Sequence, residues 1–546
     1  MGNTEKMIIS SGKKKFPVAG GIAIGVAAVA AVGAAAAFTV PSAKNAINMA
    51  FASPADYYSS VIKSGNRDNA KKDAEAYAAY CKEYTENASY SGEISAEFGK
   101  ALFSTIGITD ADAVNLYCTY DIARKDTDQS ADITLGIGSN PLLDIKEAVS
   151  GQTIYLSMPT VSDKWLKIDT EALAEEMGAD AGLPQTKGEF TFNDGTVITE
   201  KRMNAIYNRY TNIYLSYAKD VKLIKNVEKT SESGVGGKYT EADVTMSAAD
   251  MTEMIGKMAE EAKKDEDIKA IWNSFGMTSE DFDKYMDQLI SSAGNEDAEG
   301  TAEIKLFIDK KGKICGSEVV LSGKDDKVTV SGMKYVDKNK VSVEGQLTDT
   351  DGEGAKLVLD GTVNNGIIGG EGKLDINAGD EVVTVNIKYS DIDTKALEKG
   401  RLLGSVNISG DIDTGDDEMK LVYSVDLVLT EKDEKLNGAV SLGKDELVKF
   451  TATAVKGETK DVVIPSGEVL DITKDEDVEK FAESIDLTKL KENIEKCRGE
   501  LGDTFTDTLL SLFEGTSGYG SYDYGDYNYD DYNYDDFDYN VYADGE

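Results

Sequence analysis

Two spacings of apolar residues alternate along the chain and predict where it forms strands and where it forms helices. Between about 90 and 168, apolar side chains occupy every second position, as at Leu116, Cys118 and Tyr120. This alternation is typical of antiparallel strands with one covered side. Residues 301–456 repeat it in short runs that Gly, Asp, Lys and Asn turns separate. They therefore predict a meandering antiparallel sheet of many strands.

Helical spacing of apolar residues returns in three stretches, 199–217, 247–290 and 475–513. Each stretch has a wide apolar side that must lie on another apolar surface. The sequence therefore predicts an α+β fold, in which a broad, twisted antiparallel sheet, half-barrel-like, has helices packed on one face.

Helix-start signals locate the first residues of several helices. A hydroxyl side chain at such a position accepts a hydrogen bond from a free backbone amide of the first turn. The signals are Ser53 before Pro54, Ser247 with Asp250, and Thr278 with Asp281. A helix from Pro54 and a second helix over about 66–86 are expected to lead into the folded body.

The amino-terminal segment has the pattern of a membrane anchor. Lys13 to Lys15 precede 25 residues without a charge, residues 16–40. As a helix they would span roughly 37 Å, enough to cross a hydrocarbon core of about 30 Å. The positive-inside rule places the amino terminus in the cytoplasm and the bulk of the chain outside the cell. A cleaved secretion signal is the alternative, because residues 50–52 offer small side chains near a cleavage position.

These patterns divide the chain into six segments. They are a cytoplasmic basic segment (1–15), a transmembrane helix (16–40), a helical juxtamembrane connector (41–89), strands then helices of the exported body (90–300), an antiparallel meander with carboxy-terminal helices (301–514), and a disordered acidic tail (515–546). The localisation that follows is a single-pass protein of the cell membrane.

Charge narrows the range of partners. The formal net charge is −41, and such a field repels nucleic acid, so no nucleic-acid partner is expected. The charge either attracts cations and basic surfaces or only keeps an exported protein soluble. From Gly515 onward, 32 positions hold 9 tyrosines and 9 acidic residues. Carboxylate repulsion predicts an unfolded tail, which either binds a cationic or cell-wall partner through its tyrosines or is only solvated.

The residue inventory argues against most catalytic chemistry. The chain has no histidine, so Ser-His-Asp and Cys-His nucleophile pairs and histidine-bound metals are excluded. The four cysteines, Cys81, Cys118, Cys315 and Cys497, form no C-x-x-C pair. They are interpreted as buried small apolar residues, with a Cys81–Cys118 disulfide as an alternative. No catalytic, cofactor-binding or metal-ligating residue is predicted, and the protein is not expected to be an enzyme.

Two local motifs resemble known ligand loops without matching them. The segment "GVGGKYT", residues 234–240, lacks the first glycine and the Ser or Thr of a phosphate loop, and we interpret it as a hairpin turn. The segment "DTDGEGAKLVLD", residues 349–360, has acidic residues at calcium-loop spacing but ends in Asp and is flanked by strands. We interpret it as an acidic hairpin loop.

The order of these parts resembles a domain-of-unknown-function family of membrane-anchored proteins from Gram-positive anaerobes. The resemblance rests on "SPADYYSSVIKSG" after the anchor, "YTEADVTMSAADMTEMIGKMAEEAKKDEDIKAIW" at 239–272, and "VVIPSGEVLDITKDEDVEKFAESIDLTKLKENIEK" at 462–496. It covers most of residues 16–500 and implies no catalytic motif. At the level of fold, the strand–helix–strand plan is also similar to the half-barrel of bacterial lipoprotein and lipid carriers.

Two functional hypotheses follow. The first is a non-enzymatic, membrane-anchored surface protein that displays an interaction module. The second is a carrier or sensor that binds an apolar, lipid-like ligand between sheet and helices. A bound lipid would favour the second hypothesis, and a filled core would favour the first.

Overall fold

A computed structural model of the chain describes most residues between 53 and 514. The described ranges are 53–85, 87–105, 113–126, 128–151, 153–169, 198–274, 278–293, 300–324, 326–378, 381–397, 401–413, 420–465 and 468–514. Within them the protein is a mixed α and β structure built on one open sheet of 20 strands. The predicted transmembrane helix (16–40) and acidic tail (515–546) lie outside the described residues.

The strands follow the alternating segments of the sequence. They are β1 (Ala88–Phe98), β2 (Val114–Lys125), β3 (Asp128–Ile137), β4 (Asn140–Ser150), β5 (Thr153–Ser157), β6 (Trp165–Asp169), β7 (Val221–Thr230), β8 (Gly236–Ser247), β9 (Thr301–Ile308), β10 (Ile314–Ser322), β11 (Lys327–Asp337), β12 (Lys340–Thr348), β13 (Gly354–Asn364), β14 (Ile367–Ala378), β15 (Glu381–Asp393), β16 (Gly404–Asp413), β17 (Lys420–Leu429), β18 (Asp433–Leu442), β19 (Asp445–Gly457) and β20 (Val469–Asp471).

The strands form one meander with two long-range pairings. Strands β7 to β19 pair with their neighbours in sequence order, and so do β1 to β6, all antiparallel. Strand β1 also pairs with β19, which joins the two series. Strand β20 adds to β6 in parallel. The edges of the sheet are therefore β7 and the three-residue strand β20.

The register places most apolar side chains on one face of the sheet, the apolar face, although the opposite, polar face also buries an apolar cluster around Tyr239 and Met333 at β8 to β11. Directly opposed residues share a face, and the opposed pairs run from Val319 through Val330 and Leu347 on β10 to β12. The same face continues through Val385 and Tyr423 and reaches Phe98 on β1. Because side chains alternate with a period of two, a slip by one residue would exchange the two faces.

Cross-strand polar contacts on the other face hold this register. On the polar face, Thr134 Oγ1 donates to Asp144 Oδ1 at 2.9 Å, and Thr384 Oγ1 donates to Asp375 Oδ1 at 2.7 Å. Both are directly opposed pairs. Further pairs of this kind are Asn407 with Asp426, Ser95 with Thr451, and Lys146 with Asp132. Each pair contributes a few tenths of a kcal/mol to about 1 kcal/mol, and each exists only in this register.

The helices form two groups. They are α1 (Pro54–Thr85), α2 (Lys100–Thr105), α3 (Glu200–Tyr217), α4 (Ala248–Ala262), α5 (Glu266–Ser274), α6 (Ser279–Ala293), α7 (Thr394–Leu397), α8 (Asp475–Ser484), α9 (Thr488–Lys496), α10 (Arg498–Leu501) and α11 (Asp503–Glu514). Helices α1, α3 and α4 pack on the apolar face of β8 to β10. Helices α2, α10 and α11 pack on the same face at β1 to β3.

The first group buries the larger core. Tyr57 and Tyr58 of α1 and Met254 of α4 lie against Ile304 and Ile308 of β9, and all five are 6% exposed or less. The hydroxyl oxygens of Tyr58 and Tyr214 lie 2.5 Å apart within this core. The space between these helices and the sheet is thus filled by side chains.

A buried carboxylate fixes the outer helices of this group. Asp265 is 4% exposed, and its Oδ1 accepts from the backbone amides of Asp267 at 3.1 Å and Ile268 at 3.4 Å, which caps α5. Its Oδ2 pairs with the guanidinium of Arg209 on α3. A buried charge of this kind requires such a partner, so α3 and α5 are held together by charge as well as by apolar packing.

Most predicted elements are confirmed, with one correction. Helix α4 begins after Ser247, whose Oγ accepts from the amide of Asp250 at 3.0 Å, as the capping box predicted. The prediction of two helices between 54 and 86 is wrong, because Pro54–Thr85 is one continuous helix. Gly65 does not interrupt it, since one half of the helix packs in the cluster of Tyr58 and the other in a cluster with Ala74. Tertiary packing overrides the weak local signal.

We expect the Ile308→Ala variant to lose about 2–5 kcal/mol of unfolding free energy, because Ile308 is 0% exposed and truncation leaves a cavity. Ile376→Ala removes the same atoms on β14, where the side chain is 41% exposed, and should lose about 1 kcal/mol or less. Urea unfolding followed by circular dichroism measures both. Equal losses would contradict the assignment of the core to β8–β10.

Candidate functional site

The apolar face continues far beyond the two helical groups. In each of the eleven strands β12–β19 and β1–β3, four successive positions on this face carry only Val, Ile, Leu, Phe, Tyr, Ala, Gly or Cys. In β16 these positions are Val406, Ile408, Gly410 and Ile412, and in β17 they are Leu421, Tyr423, Val425 and Leu427. We refer to these positions of the eleven strands as the apolar surface.

Its dimensions follow from strand geometry. Eleven strands at about 4.8 Å spacing span roughly 50 Å, and four same-face positions at about 6.8 Å spacing along each strand span roughly 20 Å. At this size the apolar surface exceeds the apolar patches of a few hundred Å² that most soluble monomers expose.

Large aliphatic side chains of the apolar surface are exposed. Ile94 is 52% exposed, Leu116 41%, Leu347 39% and Ile408 38%. The buried clusters on this face end at β10 on one side and lie at β1–β3 on the other, and no cluster of buried residues lies on it between β12 and β18 in the described ranges. The centre of the apolar surface is therefore uncovered by the described part of the chain.

Aromatic rings lie flat over glycines on this surface. Tyr423 is directly opposite Gly410 and Phe450 is directly opposite Gly438. A Cβ on Gly438 would stand 2.1 Å from the Phe450 ring, and one on Gly410 would stand 2.6 Å from the Tyr423 hydroxyl oxygen. The same arrangement joins Tyr120 to Gly92. These pairs cover glycine backbone that would otherwise weaken the strands.

The polar face is partly covered by the sheet itself. The turn between β7 and β8 bends over β12 and β13, where the amide of Glu232 donates to Glu344 Oε1 at 2.6 Å and Ser233 Oγ donates to Asp360 Oδ1 at 2.6 Å. Beneath it Val358 is only 6% exposed. The predicted hairpin turn at 234–240 is confirmed in part: the turn lies at 231–235, and residues 236–240 belong to β8.

The polar face also carries a compact charged cluster on β8 to β10. Lys305 Nζ lies 2.7 Å from Glu318 Oε1 and is directly opposite Asp243. Burial and the neighbouring Asp243 carboxylate raise the pKa of Glu241. A raised carboxyl pKa is a property of many general acids, but these side chains lie on strand positions rather than in a cleft. We interpret them as a structural ion network.

The raised pKa of Glu241 has a consequence for stability. Because the folded-state pKa lies above the unfolded one, the protonated form stabilises the fold below the unfolded value of about 4.5, and this stabilisation is lost as pH rises through the folded pKa. The Glu241→Gln variant should therefore gain stability relative to the wild type between pH 4 and 7. Thermal unfolding at both pH values measures the difference, with the exposed Glu303→Gln as control. A gain that is equal at both pH values would contradict this assignment.

The acidic loop at 349–360 forms a hairpin turn, as predicted. Asp349 Oδ1 accepts from the amides of Asp351 at 3.0 Å and Glu353 at 2.8 Å. Asp360 lies along β13 and contacts the β7–β8 turn instead. No group of three potential metal-ligating side chains occurs among the described residues.

The cysteines are free thiols. Cys81 and Cys497 are buried, as predicted, whereas Cys118 and Cys315 are half-buried. Burial raises the pKa of Cys315 to about 11, so this thiol stays protonated at neutral pH and is a poor nucleophile. The alternative of a Cys81–Cys118 disulfide is not seen in the structure.

None of the helices in the described ranges combines the length and the apolar character that a membrane span requires.

Comparisons with known proteins identify no family. No protein-family model matches the chain. No curated protein matches it either. Solved structures that align with it include Pseudomonas aeruginosa OpdO, at 8% identity and a TM-score of 0.21 over 68% of this chain and 97% of that one. A Rhodopseudomonas blastica porin mutant aligns at 8% identity and a TM-score of 0.18 over 67% and 99%. Such low TM-scores carry no conclusion about fold or function.

Proposed function

We propose that this protein is a non-enzymatic, membrane-anchored extracytoplasmic binding protein whose apolar surface receives an apolar, lipid-like ligand. The observation that carries the proposal is the uncovered apolar surface itself. Exposed aliphatic area costs about 25 cal/mol per Å² in water, so a ligand with an aliphatic or aromatic body gains free energy by covering it. No charged side chain at the four defining positions of each strand opposes such a ligand.

The position of the ligand differs from the one expected from the sequence. Between the sheet and helices α1, α3 and α4 the space is filled by side chains such as Tyr57, Tyr58 and Met254. The open strands β12 to β19 provide space for a ligand, whereas the filled core beneath the helices does not. The proposed site is therefore the open sheet rather than a space beneath the helices, in keeping with the half-barrel plan that the sequence resembles.

The anchor and the absence of catalysis rest on the sequence. The lysines before residues 16–40 favour an inserted helix with the folded body outside the cell. Among the described residues, the side chains around Glu241 form a charged cluster, but no nucleophilic side chain lies beside a base in a cleft. Membership of the membrane-anchored family that the sequence resembles is part of the same proposal.

A neutral fluorescent probe tests the proposed site. N-phenyl-1-naphthylamine should bind the full chain with increased fluorescence, and Ile408→Lys should weaken its binding about tenfold or more, because a charge must then be desolvated beneath the probe. Val422→Lys is the matched control, since Val422 is 42% exposed, on the neighbouring strand and on the polar face. Equal effects of the two lysines, or no binding by the wild type, would overturn the proposed site.

Protease accessibility tests the proposed anchor. When protease is added to intact cells that make the full chain, residues 60–546 should be digested, because residues 16–40 are proposed to leave them outside. An intracellular protein of the same cells serves as the control for cell integrity. Digestion only after permeabilisation would contradict the proposed topology.

A further inference from the structure

Three lysine side chains meet beside one corner of the apolar surface. Lys72 lies on α1, Lys313 ends the turn between β9 and β10, and Lys334 lies on β11. Burial lowers the pKa of Lys313, and the charges of Lys334 and Lys72 lower it further. The three ammonium groups are therefore close enough to repel one another. We refer to these three residues as the lysine cluster.

Lys334 borders the apolar surface directly. It is opposite Val343 of β12, which is one of the positions that define this surface. Two residues further along β11, Val336 lies on the same face and is 54% exposed. Helices α1, α3 and α4 cover β8 to β10, so β11 separates the covered strands from the open ones. A ligand on the open strands can therefore reach the Lys334 ammonium group without leaving the sheet.

The charge of the lysine cluster is opposite to that of the chain, whose formal net charge is −41. The carboxylate of Asp309 also acts on Lys313 and raises its pKa. Its Oδ1, however, already accepts from the backbone amides of Lys311 at 2.8 Å and Lys313 at 2.9 Å. An anion placed among the three ammonium groups relieves their mutual repulsion and favours their charged forms.

The two ends of β12 differ in charge. At the end near the lysine cluster, the β9–β10 and β11–β12 turns expose four lysines, which outnumber the exposed Asp337: Lys310, Lys311, Lys338 and Lys340. At the other end, the loop to β13 exposes three carboxylates, those of Asp349, Asp351 and Glu353. A negatively charged group on the apolar surface is therefore attracted to the first end and repelled from the loop at the second.

We propose that the ligand is an anionic long-chain amphiphile of the fatty-acid class, whose acyl chain lies along the open strands from β12 and whose carboxylate lies at the lysine cluster. This inference rests on the proposed function and names the class of its ligand. The apolar positions of one strand extend over roughly 20 Å, which gives an acyl chain a continuous apolar floor. Lysine ammonium groups donate charge-assisted hydrogen bonds to a carboxylate. A carboxylate without the chain gains little, because ion pairs in water are weak.

Two ligands with the same chain and different heads test this inference. Oleate and oleyl alcohol are titrated into the full chain, below the concentrations at which they aggregate, and each should displace N-phenyl-1-naphthylamine. Lys334→Met should weaken oleate binding about tenfold or more, the scale of a hydrogen bond between charged groups. It should leave oleyl alcohol and the probe unaffected, because Met keeps an apolar stem. Lys72→Met, on α1 rather than on the sheet, should have the same selective effect.

The matched control is Lys327→Met, which removes an exposed lysine at the other end of β11 and should leave oleate binding unchanged. Oleate binding that Lys334→Met and Lys327→Met change equally, or that neither Lys334→Met nor Lys72→Met weakens, would overturn this inference and leave the proposed function standing. If neither the probe nor oleyl alcohol bound the wild type, the proposed function would be overturned, and the inference with it.

Discussion

The strict alternation of side chains along an antiparallel sheet governs this structure. Because the strands β12 to β19 and β1 to β3 continue one register, their apolar positions fall on one face. Twenty strands at about 4.8 Å each give a sheet roughly 95 Å wide along its curve. Two groups of helices cover the apolar face near β8–β10 and near β1–β3. The remainder of that face has no buried cluster on it among the described residues.

The sequence predicts the strands and most helices because their signals are local. Alternation marks β9 to β19 almost strand by strand, and the capping residues locate α4 and α6. Hairpin turns connect strands that are neighbours in sequence, so most of the strand order also follows from the pattern. Once the register is known, the sequence also shows which side chains lie on each face, and this division defines the candidate site.

Other features depend on contacts between distant residues and leave no local signal. The pairing of β1 with β19 joins residues more than 340 positions apart, as for Ser95 with Thr451. The contact of Arg209 with Asp265 joins α3 to the start of α5 through two charged residues that look like ordinary solvated residues in the sequence. The sequence also does not reveal that the helices leave β12–β18 open, because coverage depends on where each helix packs in three dimensions.

The separation of charge from apolar area explains how one chain combines a formal charge of −41 with a wide apolar surface. Asp132, Asp144 and Asp426 of the sheet lie on the polar face, where they pair with Thr, Asn and Lys across strands. They maintain solubility without entering the apolar rows. A molecule that covers the apolar rows therefore need not neutralise this charge.

The central claim is that the two faces of the open strands meet different surroundings. It is tested most directly by spin labels placed singly at 382–388 of β15, in a full chain whose native cysteines are replaced by alanine. The account predicts that environmental polarity alternates with a period of two, and that N-phenyl-1-naphthylamine immobilises the labels at 383, 385 and 387 alone. A profile without alternation, or an equal response at 384 and 386, would contradict it.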